Sequence, residues 1–279
     1  DEDSSGSTSL SGSDIDGDDL TFSITGGSNI AATLSDNDVS FSAPANYNGS
    51  EIFIISISDG EYEDSKSINV TVNAVNDAPV ATIGLTGTTE EDQSVVVSLS
   101  GSDVDGDVLS FSLDADAANG NTLINGSVAT YTPDANFNGD DSFTFSVSDG
   151  EFSSNASVSL SVSAVNDAPT LATVSNVSFD ENSEITVSLF ASDIDGDNLS
   201  FSITGGSNIT ATLDGSDVSF SASNDYNGSE LFTVSVSDGE YSDSQSISVT
   251  VTAINDAPVA TTGLVGITSE DQSVVITLS

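Results

Sequence analysis

The chain has 279 residues, and 45 acidic side chains stand against one basic residue, Lys66, for a formal charge of -44. Self-repulsion on that scale opposes compaction unless cations offset it, and without a Lys/Arg patch neither nucleic acid nor an anionic membrane surface is an expected partner. Cysteine, histidine, methionine and tryptophan are absent, which excludes thiolate and imidazole metal sites, disulfides, and Cys or Ser/His nucleophiles. Oxygen ligands remain, and a secreted fold without disulfides needs another staple, for which metal is the candidate.

Taken in chain order, the sequence repeats. Ser-Asp-x-Asp-Gly-Asp places its first aspartate at Asp14, Asp103 and Asp193; Tyr/Phe-Asn-Gly places its asparagine at Asn48, Asn138 and Asn227. Ser-Asp-Gly-Glu follows with Asp59, Asp149 and Asp238, and Asn-Asp-Ala-Pro begins at Asn76, Asn166 and Asn255. A fixed period carried by several markers is the signature of a tandem array. Residues 1–78 are therefore expected to be a repeat lacking its first strand, 79–168 and 169–257 complete repeats, and 258–279 the opening strands of a fourth. Phe-Ser-Ile-Thr-Gly-Gly-Ser-Asn-Ile recurs at Phe22 and Phe201 but not between them, so the sequence unit is a pair of repeats. Both ends cut through a repeat, as a window on a longer array would; a sharper reading has residues 259–279 completing the first repeat of a neighbouring copy by strand addition.

Within the second repeat, apolar residues alternate with hydroxyl residues at Val95, Val97, Leu99, then Leu109, Phe111, Leu113, then Phe143, Phe145, Val147, then Val158, Leu160, Val162. Period two with one apolar face predicts strands, and about seven of them broken by Gly/Asn/Asp/Pro turns predict a sandwich. Alternating strand directions put the Asp103 loop and the Asp149 turn at the end where the chain enters. The Glu91-Asp92 turn and the Asn136–Asp141 loop then lie at the exit end, beside Asn166-Asp167.

The acidic markers thus gather at the joints between repeats. At the second joint Glu91, Asp92, Asp141, Asn166, Asp167, Asp193, Asp195, Asp197 and Asp238 are expected to converge. The same spacing assigns Glu2, Glu51, Asn76, Asp77, Asp103, Asp105, Asp107 and Asp149 to the first joint. Glu181, Glu230, Asn255 and Asp256 fall at the third exit, and Asp14, Asp16, Asp18 and Asp59 form part of a site at the first entry. Calcium takes roughly 6 to 8 oxygen ligands in flexible geometry and suits such a cage better than magnesium. Two or three calcium ions are expected at each complete joint. An EF-hand is excluded: its loop wants glycine at position 6 and glutamate at position 12, whereas here the glycine is fourth and position 12 is Asp114 or Thr25.

These residues resemble the cadherin and bacterial cadherin-like or Ig-like tandem repeats of large calcium-dependent surface proteins and adhesins, of the RTX-adhesin and VCBS extender type. Glu91, Asp141, Asn166-Asp167-Ala168-Pro169 and Asp193-Ile194-Asp195 match, in order, that family's acidic group near the first strand, exit loop, linker and entry loop. The exit loop Phe137-Asn138-Gly139-Asp140-Asp141 departs from the vertebrate pattern, and the closer similarity is to the bacterial repeats. The resemblance implies an all-β chain of tandem seven-stranded Greek-key sandwiches, cadherin-like or Ig-like, joined end to end. It also implies calcium between domains and an extracellular or cell-surface location.

A carboxylate pair could in principle serve glycoside hydrolysis, but identical groups recurring at every joint, with no His or Trp to build a cleft, describe a staple and not an enzyme. The expected function is a calcium-rigidified extender, with neighbouring repeats or identical chains as partners. Self-assembly into a filament and glycan binding through Tyr47, Tyr62, Tyr226 or Tyr241 are the alternatives. Glycans or cell-surface proteins would otherwise be met through parts outside this window.

Overall fold

The computed structural model describes residues 1–259 and 265–276. The described elements are all strands. They fall into two compact units, Asp1–Val165 and Asn166–Ser279.

The first unit holds two repeats. In the second of them, the longer strands are the seven expected ones, divided between two sheets. Ser110–Ala115, Gly139–Ser148, Ser153–Ser163 and Leu85–Glu90 form one sheet in that order; Gly120–Asn125, Val128–Pro133 and Val95–Ser98 form the other. A two-residue pair, Val80–Ala81 with Gly101–Ser102, adds a short ladder. Gly120–Asn125 with Val128–Pro133 and Gly139–Ser148 with Ser153–Ser163 are hairpins within one sheet, and the other connections cross between the sheets. The opening strand Leu85–Glu90 lies parallel to the closing strand Ser153–Ser163, with Leu85 opposite Val158 and Glu90 opposite Ser163.

The alternation in sequence becomes the division between core and solvent, because successive strand side chains point to opposite faces. Along Ser153–Ser163, Ala156, Val158, Leu160 and Val162 are buried while the serines between them are exposed. Phe143, Phe145, Val147, Tyr131, Ala129, Val97 and Leu99 complete this core. Gly120–Asn125 and Val128–Pro133 are joined by a two-residue turn in which Gly126 takes φ 58°; glycine holds that left-handed conformation without a Cβ clash.

The second unit repeats the design. Val177–Asp180, Ser242–Thr252, Gly228–Ser237 and Ser200–Gly205 form its four-stranded sheet, and Glu184–Ser188, Asp217–Ala222 and Ile209–Asp214 its three-stranded one. The core gathers Phe220, Phe232, Val234, Val236, Ile247, Val249 and Val251. Phe220 and Phe232 meet edge to face at 5.2 Å, the arrangement aromatic quadrupoles favour, and Phe41 and Phe53 do the same in the first repeat.

The first repeat has two three-stranded sheets: Ser5–Ser9, Asp38–Ser42, Ala31–Ser35; and Thr21–Gly26, Gly49–Ser58, Glu63–Val72. No strand described here lies beyond Glu63–Val72, where the other repeats carry their parallel opening strand. The expected opening strands over 258–279 fall partly outside the described residues, and residues 265–276 form no regular strand.

Candidate metal centre

The entry loop builds itself. Asp103 Oδ1 accepts the amides of Asp105 (2.9 Å), Gly106 (3.1 Å) and Asp107 (3.2 Å), and Gly106 turns the chain at φ 82°. An aspartate capturing amides two to four residues on is a local preference of the side chain. The effect is to present Asp105 and Asp107 beside Asp103, with carboxylate oxygens of all three within 4.8 Å. Asp14 and Asp193 close the same loop on their own successors. Asp193, Asp195 and Asp197 form an equivalent group in the second unit, whereas Asp14, Asp16 and Asp18 do not draw together that closely.

At the exit end of the first repeat, Glu2 is 5 % exposed; its backbone amide bonds Asn73 O, and its Oε1 accepts the Val75 amide at 2.6 Å. Glu91 and Glu181 repeat this, bonding the amides of Val165 and Ile254. The buried glutamate therefore fixes the departing chain. The linker then crosses to the second repeat: the Asp77 amide donates to Asp105 Oδ2 (2.8 Å) and Asn76 Nδ2 donates to Asp149 Oδ2 (3.0 Å). In the second unit Asp167 and Asn166 make the same bonds to Asp195 and Asp238.

The result at the first joint is a group in which Glu2, Asp77 and Asp105 bring carboxylate oxygens within 4.8 Å, with Asp105 shared by the Asp103–Asp107 loop. Three oxygens here, Glu2 Oε2, Asp77 Oδ2 and Asp103 Oδ2, are withdrawn from water and have no hydrogen-bond partner. Burying a carboxylate oxygen without a donor is costly unless a cation pairs with it. Burial raises the pKa of Asp77, and the negative charges of Asp105, Asp3, Glu2 and Asp103 raise it further. An all-oxygen anionic set with buried, unpaired oxygens fits a hard divalent cation.

Other expected ligands are placed differently. Glu51 lies within its own repeat: its carboxylate accepts the amides of Ser28 (2.8 Å), Asn29 (3.0 Å) and Ile30 (3.0 Å) and the Asn29 side chain (2.9 Å). Glu230 does the same with Ser207, Asn208 and Ile209. Asp141 accepts the amides of Ala118, Asn119 and Ser142 and the Tyr131 hydroxyl (3.0 Å). These three join none of the described carboxylate groups; their oxygens are filled by inward-pointing amides and hold a loop. Asp59, Asp149 and Asp238 each close their own turn through Oδ1, and the latter two receive the linker asparagine through Oδ2. Asp92 accepts the Asn136 amide (3.1 Å) and so ties the two exit loops together. Asn255 Nδ2 donates to the Asp256 carbonyl at 3.4 Å.

The structure also adds residues. Asp3 faces Asp77 electrostatically, and Asp225 joins Glu181 and Asp256 in a further group at the exit of the third repeat. Asp225 occupies the position of Asn46 and Asn136, so only the third repeat's own sequence could have shown it.

The Ser28 amide, outweighing the opposing effect of burial and joined by the Asn29 and Ile30 donors, holds the Glu51 carboxyl at about 2 against an ordinary 4.5; the corresponding donors do the same for Glu230. A folded-state pKa below the unfolded one contributes stability that is complete above the unfolded value and disappears as pH falls through the folded one. The first repeat should therefore lose stability between about 4.5 and about 2. In Glu51→Gln, urea midpoints followed down the same pH range should be lower at neutral pH and flatter toward acid. A midpoint profile identical to that of the unaltered chain would contradict the loop-holding role.

A family model, the bacterial Ig domain, matches residues 1–73, 76–161 and 166–252. The chain belongs to this bacterial Ig family, as three tandem repeats. Among solved structures, PcdhgB3 EC1-4 is similar at 11 % identity and TM-score 0.55 over 90 % of this chain and 71 % of that one. Drosophila N-cadherin EC1-4 is similar at 14 % identity and TM-score 0.39, over 88 % and 69 %. The chain spans 39 % and 42 % of two structures of the endo-fucoidan hydrolase MfFcnA4 from glycoside hydrolase family 107, at 20 % and 19 % identity and TM-score 0.30, over 85 % and 90 % of this chain. No individually curated protein matches the chain.

Proposed function

We infer that this chain is a non-enzymatic extender of an extracellular or cell-surface protein, in which calcium at the first joint fixes the first repeat to the second. The observation that carries the reading is the first joint. Glu2 from the exit end, Asp77 from the linker and Asp105 from the entry loop meet there, with Glu2 Oε2, Asp77 Oδ2 and Asp103 Oδ2 buried and unpaired. Those residues, with Asp107 beside them, would hold the ion. Calcium bound there supplies ligand bonds common to three segments that otherwise repel one another.

Tandem bacterial Ig repeats with a TM-score of 0.55 to a cadherin EC1-4 fragment support a structural module. Among the described residues no helix is long and apolar enough to cross a membrane. Extracellular calcium modules bind with dissociation constants of about 10⁻⁴ to 10⁻³ M, which is the range in which a surface protein would be saturated and a cytosolic one would not. Magnesium is smaller and gives up its water reluctantly. The test is a thermal melt of the metal-free chain titrated with each ion: calcium at millimolar concentration should raise the transition, and magnesium at the same concentration should give less than half the shift. Equal responses to the two ions would show general charge screening and overturn the site.

A further inference from the structure

The third repeat departs from the second at one seam. In the second repeat Leu85–Glu90 is paired with the closing strand from its first residue, Leu85 opposite Val158 and Thr86 opposite Ser159. It also closes on the edge strand of the other sheet: a Cβ on Gly87 would stand 2.9 Å from Val97 Cγ2. The third repeat has Val177 where the second has Gly87, and Val187 where it has Val97. Two branched side chains cannot approach as a glycine and a valine do, because at that separation their atoms overlap. The ladder accordingly begins only at Val177, opposite Val249, and residues 172–176 form no strand.

That segment is nonetheless fixed. Gln245 stands where the second repeat has Ala156; its Oε1 accepts the Val174 amide at 3.0 Å and its Nε2 donates to the Val174 carbonyl at 2.7 Å. Asn176 Oδ1 accepts the Ser248 amide at 2.9 Å, a side-chain bond where the second repeat pairs Thr86 with Ser159. Between the pinned segment and the edge strand Glu184–Ser188 lies a cleft of about 490 Å³. Its base is apolar, with Val174 and Val177 buried and Ile185 and Val187 half-buried. Phe190, in the place of Ser100, also lines it and is 70 % exposed.

The chemistry of the lining selects the ligand. The chain carries 45 acidic side chains in 279 residues, yet none of the described residues lining this cleft is charged. A phosphate, sulfate or uronate would find no cation there, and an ammonium no carboxylate. What the cleft offers is an apolar base, an aromatic ring, and neutral donors and acceptors on Thr173, Ser175 and Asn176, whose Nδ2 remains a donor once Oδ1 has taken the Ser248 amide. Small-molecule sites of about 300 to 1,000 Å³ combine those same parts. A pyranose is complementary to them: one face presents C–H groups that are drawn to the negative face of an aromatic ring, and its edge presents uncharged hydroxyls. We propose that this cleft binds a neutral saccharide, with Phe190 as the stacking platform and Thr173, Ser175 and Asn176 as the hydrogen-bonding groups. None of Tyr47, Tyr62, Tyr226 and Tyr241 lines it, and the joint carboxylates take no part.

The chain contains no tryptophan, so Phe190→Trp places a single fluorescent reporter in the cleft while keeping an aromatic platform. Its emission should shift saturably on titration with at least one of cellobiose, maltose, lactose and N,N′-diacetylchitobiose, with a calcium chelator present so that no joint ion contributes. Saturation-transfer NMR on the unaltered chain should show the same disaccharide bound, and its uronic acid analogue should bind more weakly. Phe190→Ala should weaken binding about tenfold or more. Asn176→Asp, which keeps the acceptor for the Ser248 amide and removes the donor, should weaken it too. Phe190 is exposed, so the melting curve of Phe190→Ala should match that of the unaltered chain. Three results would overturn the proposal: no saturable response to any of the four sugars at tens of millimolar, undiminished binding in Phe190→Ala, or uptake of the neutral dye N-phenylnaphthylamine with none of the sugars, which would make the cleft an apolar groove.

Discussion

Saturating calcium should raise the melting temperature of the unit Asp1–Val165 by about 3 to 11 °C for each ion bound at the first joint. An ion that binds only the folded arrangement stabilises it by RT ln(1 + [L]/Kd). At 10 mM calcium and a dissociation constant of about 10⁻⁴ to 10⁻³ M, that is about 1.4 to 2.7 kcal/mol per ion. For a unit of this size each kcal/mol moves the midpoint by about 2 to 4 °C. The physical source is the joint itself, where Glu2 Oε2, Asp77 Oδ2 and Asp103 Oδ2 are buried without a donor. Differential scanning calorimetry with and without a chelator measures the shift. High sodium chloride should reproduce only a small part of it, because screening weakens repulsion without supplying ligand bonds.

The second large effect belongs to Asp105. It is the one side chain common to the Glu2–Asp77 group and the Asp103–Asp107 group, and its Oδ2 also accepts the Asp77 amide at 2.8 Å. Asp105→Ala therefore removes a carboxylate from both groups and an anchor from the linker. Losing a partner that merely orients a ligand costs about 10- to 100-fold in metal affinity, and losing the shared ligand should cost at least that much. Asp105→Asn keeps an acceptor for the Asp77 amide and should lose affinity while retaining the apo melting curve. Asp114, exposed on Ser110–Ala115 and outside both groups, is the control: Asp114→Asn should bind calcium like the unaltered chain. Isothermal titration calorimetry separates these outcomes.

Much of this was legible in the sequence, for a physical reason. A strand with one face in the core writes its period into the chain, so Val158, Leu160 and Val162 could be read as buried before any coordinates. The Asp103 loop was legible because its bonds are local, from Asp103 to residues two to four places on. The placement of Glu51, Asp141 and Glu230 was not legible because the contacts that set it are not local. Each stands beside an Asn-Gly turn like a ligand. The register of the hairpin, with Glu51 opposite Val70, carries its carboxylate to amides more than twenty residues away in sequence.

The paired repeats show the same constraint met in two ways. In the first repeat the Tyr47 hydroxyl approaches Glu51 at 3.4 Å; in the second the position of Tyr47 is Phe137, and Tyr131, replacing Phe41, donates to the shorter Asp141 at 3.0 Å. The hydroxyl has moved from one element to another while the loop stays held. Burial, and then the ionised Asp141 that it faces, push the Tyr131 hydroxyl well above its ordinary pKa. Read position by position, the exchange looks like drift between repeats; only the packing shows that the two changes answer each other.

The central claim is that calcium fixes the first two repeats to one another, and the chain suits a direct test because it contains no cysteine. Spin labels on Ser40→Cys in the first repeat and Ser112→Cys in the second, both exposed strand positions, give the distance distribution across the joint by pulsed dipolar spectroscopy. With calcium the distribution should be single and narrow, with chelator broad, and in an Asp105→Ala background broad in both conditions. Distributions of equal width with and without calcium in the unaltered joint would contradict the account, leaving the carboxylate cluster as a solvated turn and the repeats as a spacer whose stiffness owes nothing to metal.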